Sequence, residues 1–249
     1  MTIYYQDDYV TLYHGNSFEV MAEMPDESID CVITDPPYSE RTHQKARKKQ
    51  SNGVVTHGID TFDSFTDERL YQAYDEMARI SKGWVVSTID YNHAFRFEQE
   101  PPKGMRQLRI GIWVKNNPTP QISGDRPAQG WEAISYLYKK DVRAWWNAGG
   151  AHGNYVSNLA TPTGHPTPKP ISMVSSFVER FSQPGDTILD PFAGGGTTLI
   201  AARNQGRKAI GVELEEKYCE LIAKRLQQDT FDFTKLPEIK EIYTQESLI

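Results

Sequence analysis

Asp35, Pro36, Pro37 and Tyr38 follow one another at the end of an apolar run, Asp30-Cys-Val-Ile-Thr34. Two consecutive prolines stiffen the backbone and leave carbonyls with no neighbouring N–H donor. A carboxylate beside a fixed carbonyl can accept both hydrogens of one amine and orient the nitrogen lone pair towards an electrophile. Tyr38 adds a flat face on which an aromatic ring can stack. The same tetrapeptide also suits an ordinary turn at a strand end, so a second motif is needed to choose.

That second motif is Thr187-Ile-Leu-Asp-Pro-Phe-Ala-Gly-Gly-Gly-Thr-Thr198. It reads as a strand, a tight glycine turn and a helix start. Gly194, Gly195 and Gly196 permit close backbone approach and positive φ. The helix start presents N–H groups that no carbonyl of the helix satisfies. Glu213 ends the next apolar run, where an acid suits a ribose diol. The spacing fails the dinucleotide fingerprint, and no Gly-Lys-Ser/Thr follows, so a pyrophosphate or triphosphate is not expected. A nucleoside is.

Short β-branched runs alternating with helical patterns must position these groups, which predicts an α/β fold with a mostly parallel sheet. Strands are expected at Asp30–Thr34, Trp84–Ile89, Arg109–Val114, Ala133–Tyr138, Thr187–Leu189 and Lys208–Val212. Helices are expected at Phe18–Met24, Asp67–Ile80, Ser172–Phe181, Thr197–Asn204 and Glu215–Gln228, with Leu70, Tyr74, Met77 and Ala78 on one stripe of the second. Residues 39–66 and 116–170 lack clear periodicity apart from the strand near 135. Loops of that length are usually functional or disordered.

The net charge of −6 does not advertise nucleic acid, but its distribution does. Residues 1–40 hold no Lys or Arg; the rest carries 27 basic against 24 acidic residues. Arg41, Lys45, Arg47, Lys48 and Lys49 follow the tetrapeptide with no acid among them, as a phosphate-contacting loop or a solvated surface loop would. Cys31 and Cys219 cannot build a disulfide framework, which fits a reducing, cytoplasmic setting. Cys31 is expected in the core. Residues 1–10 lack a basic, apolar leader pattern, and no apolar run approaches the roughly 18 residues of a membrane span. The six histidines show no metal-binding spacing, so no metal is expected.

Together the motifs resemble the β class of amino-DNA methyltransferases, in which the catalytic tetrapeptide precedes the cofactor loop. The tetrapeptide is Asp35–Tyr38, and the F-x-G-x-G loop is Phe192-Ala-Gly-Gly-Gly196. Further matches follow in the family's order: Tyr13-His-Gly-Asn-Ser17 with Met24-Pro-Asp-Glu-Ser-Ile-Asp30, then His165-Pro-Thr-Pro-Lys-Pro170, then Gly206-Arg-Lys-Ala-Ile-Gly-Val-Glu213. The resemblance implies a Rossmann-like, S-adenosylmethionine-dependent methyltransferase fold, a mostly parallel twisted sheet with helices on both faces. It implies methylation of adenine N6 in double-stranded DNA by base flipping, with Asp35, Pro36, Pro37 and Tyr38 catalytic. Cofactor contacts are implied at Asn16, Ser17, Asp35, His165, Thr167, Asp190, Pro191, Phe192, Gly194, Gly196, Thr197, Thr198 and Glu213. Lys169 would pair with the cofactor's methionine carboxylate. Asn16 departs from the family's Asp; its side-chain oxygen can still accept from the cofactor adenine.

The resemblance covers roughly residues 10–228. It suggests a methyltransferase domain over 1–228, a C-terminal appendage over 229–249, and DNA-reading loops at 39–66 and 116–160. Arg126 is the candidate DNA contact in the second loop, with Gln121, Gln129, Arg143, Asn147 and Asn154 near Trp131, Trp145 and Trp146. The two neighbouring tryptophans equally suit core packing or a dimer interface, and relatives are often homodimers. Cytosine N4 is the alternative target. An inactive DNA-binding regulator is the alternative of another class.

Overall fold

The computed structural model describes residues 2–37, 65–161 and 164–228. Among these, nine strands form one sheet: β1 (Thr2–Gln6), β2 (Val10–His14), β3 (Ile29–Thr34), β4 (Ser81–Ile89), β5 (Met105–Lys115), β6 (Trp131–Lys139), β7 (Asn154–Ser157), β8 (Thr187–Asp190) and β9 (Lys208–Glu213). Their order across the sheet is β1-β2-β9-β8-β3-β4-β6-β5-β7. The five central strands β2, β9, β8, β3 and β4 run parallel. β6 then reverses against β4, and β5 against β6. The sheet is therefore mostly parallel, as the alternation of runs predicts.

The middle strands β3, β4 and β8 carry apolar runs because both faces are covered. Along β3, Cys31 and Ile33 join one core cluster and Val32 the other. Trp84 and Val86 part from Val85 on β4 in the same way. The first cluster is completed by α4 (Ile171–Phe181), α5 (Thr197–Asn204) and α6 (Glu216–Gln227). The second is completed by α1 (Ser17–Glu23), α2 (Asp67–Ile80) and α3 (Tyr91–Gln99). The stripe on α2 is buried as expected, and Thr66 caps the helix by accepting the Arg69 N–H at 3.2 Å. Cys31 lies fully buried, and burial drives its thiol pKa far up, as suits a core residue rather than a nucleophile.

Four elements escape the sequence reading. β1 and β2 form an antiparallel hairpin whose second strand lies parallel to β9. β7 pairs with β5 inside the stretch read as aperiodic, and Tyr155 is its one buried residue. α3 is short and buries His93 on its apolar face. Of the paired tryptophans, Trp146 tilts against Phe181 at 5.9 Å as core packing, while Trp145 stays 40% exposed. Asn147 has a structural role: its amide donates to the carbonyls of Glu179 and Ser182 at the end of α4.

Candidate active site

β3 and β8 lie side by side, yet the connection from β3 through α2 leads to β4, and that from β8 through α5 leads to β9 on the opposite side. Diverging crossovers open a crevice beyond the strands' carboxyl ends. A cleft of about 570 Å³ occupies it. Asp35 follows β3, Asp190 ends β8 and Glu213 ends β9, so three carboxylates separated in sequence face one cleft.

At one end Glu213 is held by backbone donors and Asp190 by both hydroxyl and backbone donors. Glu213 is 7% exposed; one carboxylate oxygen accepts the Gly194 N–H at 2.8 Å and the other the Glu215 N–H at 2.9 Å. Burial, reinforced by the charge of Asp190, pushes its pKa up to about 7. Asp190 accepts from the Thr34 hydroxyl at 2.8 Å and the Phe192 N–H at 3.2 Å, and burial raises it to about 6. Ser17 secures the loop by donating to the Pro191 carbonyl at 2.5 Å. Gly194 turns with φ +50°, and a Cβ there would lie 3.2 Å from the His165 ring. Gly196 serves packing instead of lining the cleft: at φ +77° it caps α5, and a Cβ would come within 2.8 Å of Ile222 on α6. Asn16 lines the cleft, but its side-chain oxygen accepts the Phe18 N–H at 2.9 Å and caps α1.

The other end is built from side chains. Asp35 accepts from the Thr88 hydroxyl on one oxygen and from the Lys169 ammonium on the other. Glu132 also faces Lys169 at 3.7 Å and binds Lys115 at 2.6 Å. Burial works against the charge on Lys169, but Asp35 and Glu132 outweigh it, so its pKa is raised. The expectation that Lys169 meets the cofactor's carboxylate differs from this arrangement, in which its ammonium is turned to Asp35 and Glu132. His165 and Thr167 line the cleft, and the Thr167 N–H donates to His165 Nδ1 at 3.3 Å. Burial, then the charges of Lys169, Arg225 and Lys217, lower His165 to about 4, leaving it neutral near pH 7.

The model of the DNA methylase family matches residues 29–225, a span holding both motifs and the strands between them. The chain belongs to the DNA methylase family. The methylase is 29% identical to the type II methyltransferase M.HinfI of Haemophilus influenzae, over 88% of this chain and 68% of that one. It is similar to the crystal structure of the M1.HpyAVI–SAM complex, with a TM-score of 0.65 and 25% identity over 87% of this chain and 99% of that one. It shares its fold, at a TM-score of 0.70 and 17% identity, with the PvuII cytosine-N4-specific DNA methyltransferase, over 92% of this chain and 90% of that one.

Pro36, Pro37, Pro191, Phe192, Thr197 and Thr198 of the methylase also line the cleft. Tyr38, Arg41, Lys45, Arg47, Lys48 and Lys49 lie outside the described residues, as does the tail from 229. Arg126 stands apart from the cleft, exposed and paired with Asp125 at 2.7 Å. Thr88 and Glu132 escape the sequence reading. Thr88 is near the end of β4, where Ser87 is in register with Thr34. Carboxyl ends of adjacent parallel strands lie level, and that signal would have found it. Glu132 is the second residue of β6, and only the reversal of β6 against β4 brings a strand's start to this edge.

Proposed function

We propose that the methylase transfers the methyl group of S-adenosylmethionine to the N6 amine of a flipped adenine in double-stranded DNA. The supporting observation is a single cleft with the buried acids Glu213 and Asp190 at one end and Asp35 at the other. The residues fit the cofactor. Glu213 suits the ribose diol, the glycine turn leaves room for a close ligand, and Leu214, 60% exposed beside Glu213, offers an apolar face to a purine. When bound, S-adenosylmethionine supplies an electrophilic methyl group carried on a positively charged sulfur.

Asp35 and the Pro36 carbonyl accept the two amine hydrogens, so the nitrogen lone pair points into the cleft. As that nitrogen gains positive charge, the Asp35 carboxylate stabilises it more than it stabilised the neutral amine, which is where rate is gained. A paired base cannot reach a crevice at a sheet edge, so the base must leave the stack. Tyr38 would stack on it. Adenine is favoured over cytosine by Asp35, since in the family that this chain resembles the adenine enzymes usually carry Asp there and the cytosine-N4 enzymes Ser. Nucleoside mass spectrometry of DNA treated with enzyme and cofactor tests this: N6-methyladenine is expected, and N4-methylcytosine alone overturns the adenine assignment.

Arg41, Lys45, Arg47, Lys48 and Lys49 would contact phosphates, and Arg126 would face base edges in the major groove. Neutralising Lys45, Arg47, Lys48 and Lys49 together should flatten the salt dependence of DNA binding, and an unchanged slope removes that loop from the interface. A homodimer is carried as the partner reading on the family resemblance, and sedimentation equilibrium decides it. The cytoplasm is carried as the location, consistent with two free, buried cysteines.

A further inference from the structure

We propose that Glu132 is a positioning residue for methyl transfer: it shares the charge of the Lys169 ammonium and so keeps the Asp35 carboxylate available to the amine of the target base. The proposal rests on the reading of Asp35 as the amine's acceptor.

Four charged side chains form a chain leading out from the cleft wall, in the order Asp35, Lys169, Glu132, Lys115, the first three lining the cleft. Three are shielded from water, with side-chain exposures of 13% for Lys169, 19% for Glu132 and 15% for Lys115. Both oxygens of Asp35 are already engaged, by Thr88 and by Lys169. An ammonium bound to Asp35 opposes the work the carboxylate must do. It offsets the negative charge that stabilises a nitrogen turning cationic, and it adds positive charge beside a cofactor whose sulfur is already positive.

Glu132 answers that opposition. Its Oε2 already lies within ion-pair range of Lys169, so a small rotation of the lysine stem shifts the ammonium from one carboxylate to the other. Lys115 binds the other oxygen of Glu132, Oε1, at 2.6 Å and leaves Oε2 turned towards Lys169. With Glu132 present, Lys169 lies between two carboxylates. Without it, the Lys169 ammonium is drawn to Asp35 more tightly in a partly dry site. The lysine serves as a charge shared between two acids, and the second acid lets the first act.

The opposite charges of Glu132 and Lys115 give the test. Single-turnover methylation of duplex DNA is followed at saturating cofactor, with cofactor and DNA affinities and the melting temperature measured alongside. Glu132→Gln should slow the chemical step by about tenfold or more, with both affinities within about twofold of wild type. Glu132→Asp, which keeps the charge, should recover most of the rate. Lys115→Met removes a positive charge and should slow the step by no more than about twofold. A wild-type rate in Glu132→Gln overturns the proposal. So do equal losses in Glu132→Gln and Lys115→Met, since a merely structural pair suffers alike from either side. Should Glu132→Gln fail to fold, Glu132→Met is read in its place, and a wild-type rate there overturns the proposal. Asp35→Ala is the control: if it retains turnover, the reading of Asp35 fails whatever Glu132 does.

Discussion

The two ends of the cleft hold their carboxylates by different means. At the glycine-loop end, Glu213 is fixed by the backbone N–H groups of Gly194 and Glu215, and burial raises its pKa to about 7. At the other end, Asp35 is held by the side chains of Thr88 and Lys169, with Glu132 and Lys115 behind them. Backbone donors cannot swing away, so the first end is a rigid socket suited to a ligand that binds the same way each time. Side-chain donors can rearrange, so the second end can exchange one partner of Asp35 for another during a reaction. Binding and chemistry are thus assigned to different kinds of support.

The sharpest way to break this contrast is Asp35→Ala. Methyl transfer should fall by about 10³-fold or more, on the scale of losing a principal transition-state contact, while cofactor affinity stays close to wild type. Tritium transfer from labelled cofactor and titration calorimetry read the two quantities. A comparable loss in both would make the ends one site of one kind.

Glu213→Ala should do the converse. Cofactor affinity should weaken by about 1–3 kcal/mol, the scale of a lost charge-assisted hydrogen bond, and calorimetry checks it. The pH dependence sharpens the point. A diol donates to the ionised carboxylate, and Glu213 ionises only as pH rises through about 7. Affinity should therefore fall as pH drops below 7, and binding near pH 7 should release protons. Glu213→Gln should lose that part of the dependence. In the free protein the sign is reversed: a raised acid stabilises the fold at low pH, and that contribution disappears as pH climbs through the folded value.

Thr88→Val is expected to be milder. It removes one donor to Asp35 and keeps the shape, so turnover should change by about three- to tenfold with cofactor affinity unaltered. The smallest effect concerns stability away from the cleft. His93 lies between Asp90 at 2.5 Å and Asp67 at 3.0 Å; burial opposes its charge, but the two acids outweigh it and its pKa is raised. That clamp should contribute fully below His93's ordinary pKa and fade as pH rises through the raised value. His93→Gln should remove this slope and cost about 1 kcal/mol or less, as read by chemical denaturation at several pH values.

Local signals explain what was legible. The stripe along α2 and the Asp-Pro-Phe-Ala-Gly turn after β8 each announce themselves within a dozen residues. β1 and β2 do not, because their aromatic and polar residues become a hairpin only when β2 finds β9, about 200 residues later. β7 is too short to show a period, and α3 hides its apolar face behind a buried histidine.

The order of the motifs, the acid at the end of each of three strands, and the glycine turn are written into the sequence by itself, because each is a short-range requirement of backbone geometry and residue chemistry. The partners of Asp35 are not. They were decided by the sheet, whose parallel pairing sets Thr88 level with β3's end and whose reversal at β6 delivers Glu132 to the same edge. Strand direction depends on long-range pairing and burial, which no window of neighbouring residues contains. For the same reason Gly196 is legible as a turn residue, but its contact with Ile222 of α6 exists only once the helices pack.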